Sequence, residues 1–483
     1  MIPLPRSSFL ACIALLATAC PDDGGADDPQ GSSGSDTGPM MTAGPGGSSG
    51  GDPSSESGVD PDGTTAADDT TGTDGGDSSE SGTTGSMGNP DAGMLDMDFG
   101  DAGWTVVDFD EFTDTLFGVV ALDDGSILAA GSVNGSGSDD FGVVRLGADG
   151  SIDMSFGTDG LVIVDYENSS SQAPSAMFLD SMGRMVLPGR HLDALAAARL
   201  EADGTPDGTF DADGLAVVAD NAFSQQSFGG AVGPDDQVLS IGQYDFSLGI
   251  ALFDSDGAPI STFDGDGLVA TDIDPFVEVV GTSAAFVADD KILAAGFVVE
   301  NAGNRMLLVR YNADGTLDDT YGTDGYSVGT YALLHEAQAL AVLDDDTALI
   351  AGLAQVGGDK GTIVAHHLTD GALDMDFGTN GYVTTNDMAQ AHDIIVDADG
   401  SFYVAGGTEP GLGSEGDIAV AKYAPDGSLD PSFASGGVGV YTLGMDFEVA
   451  ASLDFHGDDG LVVGGSVRDT GGFDDFAIAR VLR

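Results

Sequence analysis

Two short runs place carboxylates at the spacing of a calcium loop: Asp211-Ala212-Asp213-Gly214 and Asp264-Gly265-Asp266-Gly267. Alternating aspartates before a glycine bring hard oxygen ligands to one turn. A complete loop draws further oxygens from the residues that follow, and neither run supplies them. Both runs fill a slot that elsewhere in the chain reads Gly-Thr-Asp-Gly, so turn chemistry accounts for them. His366 and His367 are adjacent; on a strand they face opposite sides and cannot chelate one ion. Gly46 to Gly50 reads Gly-x-Ser-x-Gly. A nucleophile elbow needs a strand before that run and a helix after it, and here there is neither. No phosphate-binding loop or Ser-His-Asp signature is recognisable. No catalytic, cofactor-binding or metal residue is therefore assigned, and no cofactor is expected beyond a weak case for calcium.

The charge sets the partners. The chain has 483 residues, with 81 Asp plus Glu against 13 Lys plus Arg, a net charge of -68. Nucleic acid is excluded, because its phosphates repel such a surface. Two cysteines cannot build a disulfide framework or a four-thiolate metal site. Hydrophobic residues make up 41%, enough for a sizeable core.

The N-terminus reads as an address. Residues 1-19 hold one basic residue, Arg6, an apolar run from Phe9 to Leu16, and then small residues. That is a secretory signal, too short to span a bilayer. Ala17-Thr18-Ala19 before Cys20 resembles the lipobox of bacterial lipoproteins, with Ala17 where Leu is commonest. The resemblance implies that Cys20 becomes the lipid-modified N-terminus, held by acyl chains. Cleavage after Ala19 without lipid is the alternative. Residues 20-93 then form a linker. Pro21 to Gly93 contains 15 acids and no aromatic, Lys or Arg. It cannot bury enough apolar surface to offset its ordering entropy, so a disordered tether is expected. Its mean reach is roughly 45–50 Å.

Residues 94-483 repeat one unit seven times. LDMDFGDAGWTVVDF at Leu95 returns as IDMSFGTDGLVIVDY at Ile152 and five times more. The anchor aromatics are Phe99, Phe156, Phe210, Phe263, Tyr321, Phe377 and Phe433, spaced by 57, 54, 53, 58, 56 and 56 residues. Each unit holds apolar runs of four to six residues bounded by Gly and Asp, as in Gly118 to Gly125, Ile127 to Gly131 and Phe141 to Leu146. No sustained helical period occurs. The spacing predicts an all-β, seven-bladed β-propeller of four-stranded blades. The units resemble the delta-60 repeat family of bacterial surface and secreted proteins. The residues that carry the resemblance are the LDxxFGxxG start, the ILAAG strand, and the strand and turn at Leu307 to Gly315 and Ile418 to Gly427. The resemblance implies a propeller and little about activity.

The ring is expected to close by strand exchange. The last unit lacks an LDxxFG strand and the first begins with one. Trp104 to Phe109 should therefore pair as the outer strand of the blade built by residues 446 to 482, covering exposed edges. A charge pair recurs at a spacing of eight: Arg145/Asp153, Arg199/Asp207, Arg310/Asp318, His366/Asp374 and Lys422/Asp430. The unit with Leu252 in place of the base has Ile260 in place of the acid. Arg480 and Asp96 are left over. They should meet across the closure within about 6 Å. Trp104 falls in a core slot.

Topology sorts the loops onto two faces. Asp-Gly turns and LDxxFG bends share one. The variable loops share the other: Ser132 to Asp140, Phe297 to Asn304, Leu353 to Lys360, Gly407 to Gly416 and Ser466 to Asp475. Asp108, Asp110, Glu111, Asp114, Asp165, Glu167, Asp272, Asp274 and Glu278 join them. That face is where a partner or cation would bind. The expected function is a cell-envelope lipoprotein, at the outer membrane or cell surface. It would be a monomer that presents a propeller to an unknown protein or glycan. Two alternatives stay open: a hydrolase or lyase at the channel mouth, and a calcium-stiffened surface protein. Polar clusters at the mouth would favour the enzyme; Ala, Gly and Val there would favour binding.

Overall fold

The computed structural model describes residues 89–109, 112–134, 139–166, 172–218, 225–301, 303–331, 334–408, 416–443, 448–468 and 471–483. Cys20, the signal and nearly all of the tether lie outside them. So do Asp110, Glu111 and Glu167.

Seven antiparallel sheets follow one another along the chain. Blade one is Thr115–Ala121, Ile127–Asn134, Asp139–Leu146 and Leu161–Val164. Blades two to six occupy residues 172–217, 225–271, 278–328, 335–385 and 390–441 in the same up-and-down order. Blade seven is Glu448–His456, Gly460–Arg468 and Asp474–Leu482, and Trp104–Val107 is its outer strand. Trp104 faces Ala479 and Val107 faces Phe476, so the strand exchange read from the sequence closes the ring. Trp104 is half-buried against the core of blades six and seven. Among the described residues the only helices are two three-residue 3-10 turns.

First strands touch their neighbours around the ring, so the blades stand radially with first strands innermost. Seven apolar clusters fill the seams, one between each pair of adjacent blades. All seven anchor aromatics are buried in them.

One irregularity recurs in six of the seven blades. The register of the first strand slips by one residue, leaving Phe117, Phe228, Thr282, Gln338, His392 and Ala451 as bulge residues. In blade two the first strand is instead interrupted between Gln172–Pro174 and Phe178–Leu179. The cause lies in the second strand. A Cβ added to Gly131, Gly189, Gly242, Gly296, Gly352, Gly406 or Gly465 would overlap a first-strand carbonyl oxygen, that of Thr115 in blade one. The glycine of each ILAAG-type strand thus admits a close backbone approach, and the bulge forms beside it.

The charge pair holds in all six units that carry it. Arg199 Nε lies 2.7 Å from Asp207, Arg310 Nε 2.7 Å from Asp318, His366 Nδ1 3.0 Å from Asp374 and Lys422 Nζ 3.4 Å from Asp430. Arg145 contacts Asp153. Arg480 Nε lies 3.3 Å from Asp96 across the closure. The acid's backbone N–H also donates to the base's carbonyl, and it does so at Ile260 and Leu252 as well. The bend therefore survives without the charges. Arg145, Arg199 and Arg310 lie over Phe156, Phe210 and Tyr321, adding a cation–π contact.

The structure also moves some boundaries. Asn89 to Gly93, expected as tether, already pack on the ring: Ala434 N donates to Ala92 O, and Gly93 N to Leu482 O at 2.6 Å. Two expected loops are mostly strand. Lys291–Glu300 and Gly303–Tyr311 run into the stretch from Phe297 to Asn304, and Ala348–Val356 and Asp359–His367 into that from Leu353 to Lys360. Gly357 and Gly358, with φ of 66° and 106°, turn the second hairpin in two residues, so pairing continues to its tip.

A chain beginning after Phe109 leaves the Asp474–Leu482 edge bare. Size-exclusion chromatography should show it as oligomers, with a peptide of residues 94–109 restoring the monomer in trans. A truncated chain that stays monomeric with an unchanged Tm would refute closure by this strand. Burial separates the charge pairs. Arg199 and Asp207 side chains are 1% exposed, Arg145 and Asp153 30% and 25%. Arg199→Ala should cost about 3–5 kcal/mol in urea unfolding and Arg145→Ala about 1 kcal/mol or less.

Candidate functional site

The acids expected on the variable-loop face divide into two groups. Asp108, Asp165, Asp272 and Asp274 are exposed. Asp114 and Glu278 turn inward, which corrects their reading as surface ligands. Asp114 is fully buried and accepts the N–H of Phe109 at 2.9 Å. Glu278 takes the Gln243 side-chain amide. The position of Asp114, three residues before the first-strand bulge, does the same at other seams. Gln225 accepts from Leu195 N at 2.9 Å, His335 from Met306 N at 2.7 Å and Glu448 from Leu443 N at 2.7 Å. These buried acceptors satisfy strand-end N–H groups that would otherwise lack partners. They are seam fasteners first.

At the closing seam the structure brings together Asp108 and Asp114 with Asp475, their carboxylate oxygens within 4.8 Å of one another. Hard oxygens in that arrangement suit a divalent cation. Asp114 nevertheless spends both oxygens on backbone, the second on Asn134 N at 3.4 Å. The Asp211/Asp213 and Asp264/Asp266 runs behave as turns: Asp213 caps Leu215 N and Asp266 caps Leu268 N, each at 3.1 Å.

Exposed apolar side chains are the feature that sequence reading missed. On the variable-loop face these are Phe112, Leu192, Phe246, Val277, Leu334 and Phe473, each 42% exposed or more. They come from 2-to-3 hairpins and 4-to-1 loops of different blades. Phe112 and Phe473 stack edge-on at 6.5 Å beside Asp108, Asp114 and Asp475. The opposite face exposes mainly methionines: Met97, Met154 and Met375 all sit at the third position of the LDM bend. Phe112 and Val277 both fall five residues before the first-strand bulge, a recurrence the sequence could have shown.

Polar groups on the inner strands cluster around blade seven. Asp393 accepts Leu453 N at 2.9 Å and Asp454 accepts Ala121 N at 3.0 Å, carrying the edge of one inner strand onto the next. His456 Nε2 bonds Gly125 O at 2.8 Å. His392 Nε2 is buried without a partner among the described residues, and burial lowers its pKa to about 4. His366 also sits in a Thr-His-Asp chain, its Nε2 3.0 Å from Thr347 Oγ1 and its Nδ1 3.0 Å from Asp374. The Thr347 hydroxyl donates to Asp345 at 2.6 Å, so it accepts from the imidazole and is not activated as a nucleophile. His367 is buried with its Nε2 3.0 Å from the Tyr331 hydroxyl.

Local bonds fix the charge state of the acids. Asp153 falls to about 2 through the hydroxyl and N–H of Ser155 and then Arg145. Burial would raise Asp207, but Thr209 and Arg199 override it and hold the group at about 2. Asp140 goes the other way, to about 6, through burial and then Asp165 and Asp139. Burial also pushes Asp393 up to about 6 against the N–H groups of Leu453 and Ile394.

A domain of unknown function described as the DUF5122 beta-propeller matches residues 122–156, 288–321 and 398–433. Each stretch runs from the first turn of a blade to an anchor aromatic. No curated protein matches the chain. Among solved structures the chain is similar to virginiamycin B lyase from Staphylococcus aureus, at 10% identity and a TM-score of 0.46 over 79% of this chain and 99% of that one. It is similar to the polysaccharide lyase Uly1, at 9% identity and 0.43 over 78% and 91%. It is also similar to Drosophila Plexin A, solved with Semaphorin 1b, at 9% and 0.40 over 79% and 86%. None of these likenesses bears on activity.

The raised and lowered acids give opposite pH dependences. Asp140 and Asp393 take up protons on folding, so the stability that their ionisation removes at neutral pH returns as pH falls through 6 toward 4. The stability from Asp153 and Asp207 is present above pH 4 and is lost only as pH falls toward 2. Buried His335, His367 and His392, each lowered to about 4, oppose this rise, because their contribution is lost as pH falls below 6.5. Tm should therefore fall from pH 7.5 to pH 5, and Asp393→Asn should steepen that fall by removing an opposing gain. A Tm slope unchanged by Asp393→Asn contradicts the assignment.

Proposed function

We propose that the chain is a cell-envelope lipoprotein, anchored through Cys20, whose propeller of delta-60 repeats binds a protein or glycan on its variable-loop face. The observation that carries this reading is the set of exposed apolar side chains on that face. Exposed Phe, Leu and Val on that face offer a partner apolar surface to cover. The opposite face is built from recurrent turns whose aspartates cap their own backbone, as Asp149 caps Ser151 and Asp426 caps Ser428. The linker that precedes the ring carries no Lys or Arg. An enzymatic reading has less support, because the inner-strand carboxylates are engaged in fastening blades.

Photo-cross-linking residues placed at Phe112 or Phe246 should yield discrete adducts on intact cells, and the same residues at Met154 or Met375 should not. Equal adducts from both faces would overturn the reading. Cys20→Ala should move the protein from the membrane fraction to the soluble fraction; unchanged membrane association would exclude the lipid anchor.

A further inference from the structure

Blades two and four hold corresponding charges in unequal numbers. In blade two, Arg184 and Arg199 share two carboxylates: Arg184 lies 2.6 Å from Asp180 and 2.9 Å from Asp207, and Arg199 lies 2.7 Å from Asp207. The strand registers align the two blades. Val186 faces Arg199 as Leu293 faces Arg310, and Leu179 faces Met185 as Phe286 faces Ile292. Lys291 thus stands where Arg184 does, Asp318 where Asp207 does, and Val287 where Asp180 does. In blade four two cations share one carboxylate: Lys291 Nζ and Arg310 Nε lie 2.8 and 2.7 Å from the same oxygen of Asp318.

Beside that pair a cavity of about 250 Å³ opens between blades four and five. Val287, Leu293 and Ala348 give it apolar walls, and Lys291, Arg310 and Tyr321 line it too. Leu293, Ala348 and Tyr321 are buried, whereas Asp289 is exposed at the mouth. The Tyr321 hydroxyl, buried in the wall, has no hydrogen-bond partner among the described residues. The site lies on the turn face and does not depend on the loop-face reading.

We propose that this cavity binds a small carboxylate with an apolar body, namely an apolar amino-acid residue, free or at a peptide C-terminus. The ligand's carboxylate supplies the charge that Asp180 supplies in blade two. Its side chain lies on Val287, Leu293 and Ala348. Lys291 offers N–H donors beyond the one given to Asp318. The volume suits a ligand smaller than the drug-sized molecules that fill ordinary pockets. Asp289 at the mouth favours a free ammonium group over a blocked one.

The test titrates the full chain with leucine, N-acetyl-leucine and leucinamide by calorimetry. Leucine should bind with a Kd of about 1–10 mM, and leucinamide at least tenfold more weakly. Tighter binding of leucine than of N-acetyl-leucine assigns the site to a free amino acid. The reverse assigns it to a peptide C-terminus, and either supports the carboxylate. Val287→Asp rebuilds the blade-two network and should weaken leucine at least tenfold with no loss of Tm. Lys291→Met should weaken it likewise, which keeps the test open if Val287→Asp fails to fold. Leucinamide binding as well as leucine, no binding by any of the three, or unchanged leucine affinity in a folded variant would overturn the proposal.

Discussion

The close approach of two backbones inside each blade is the constraint on which the ring depends. Second-strand glycines, Gly131 in blade one and Gly465 in blade seven among them, sit where a Cβ would overlap a first-strand carbonyl oxygen. The first strand answers with a bulge, and a bulge sharpens local twist and re-aims the residue it displaces. Repeated around the ring, that displacement sets one level at which inner strands carry unlike residues, from Phe117 to His392. The second and third strands outside this level repeat closely. The variable chemistry of the axis is therefore framed by an invariant absence of side chain one strand further out.

Acidity is the second consequence of architecture. The chain beyond residue 93 holds 66 acids against 12 bases, a net of -54. Many of those acids are turn residues whose carboxylates accept N–H groups two residues on, as Asp124, Asp314 and Asp426 do. Others bend the chain after the third strand while gripping a base on that strand. Nearly all the cations are drawn into ion pairs of one kind or another, leaving little positive charge to offset the surface. Blade three shows that the bend needs only its backbone bond, from Ile260 N to Leu252 O. The charges add to a turn that already exists.

Much of the fold was legible because seven copies of one unit report the same local choices. The period of the aromatics, the Asp-Gly turns and the unmatched first strand led to a seven-bladed ring closed by Trp104–Val107. The Arg480/Asp96 contact could be read because it completes a row. The candidate site was less legible. Asp114 and Glu278 share their residue type with the exposed acids, yet they point into seams, and nothing in the sequence marks which way a carboxylate turns. Hairpin tips were read too long, because Gly357-Gly358 and its neighbours resemble loop composition while pairing as strands.

By itself the sequence determined the period, the blade count, the closing strand and the paired charges, since each follows from spacing along one chain. Tertiary structure alone decided what lies across a seam. It joined Asp475 to Asp108 and Asp114, set Phe112 beside Phe473, and left a cavity by Lys291 where Val287 replaces a carboxylate. Those meetings depend on how adjacent blades pack side by side. Packing of that kind is fixed by shape and burial over distances that no local pattern encodes.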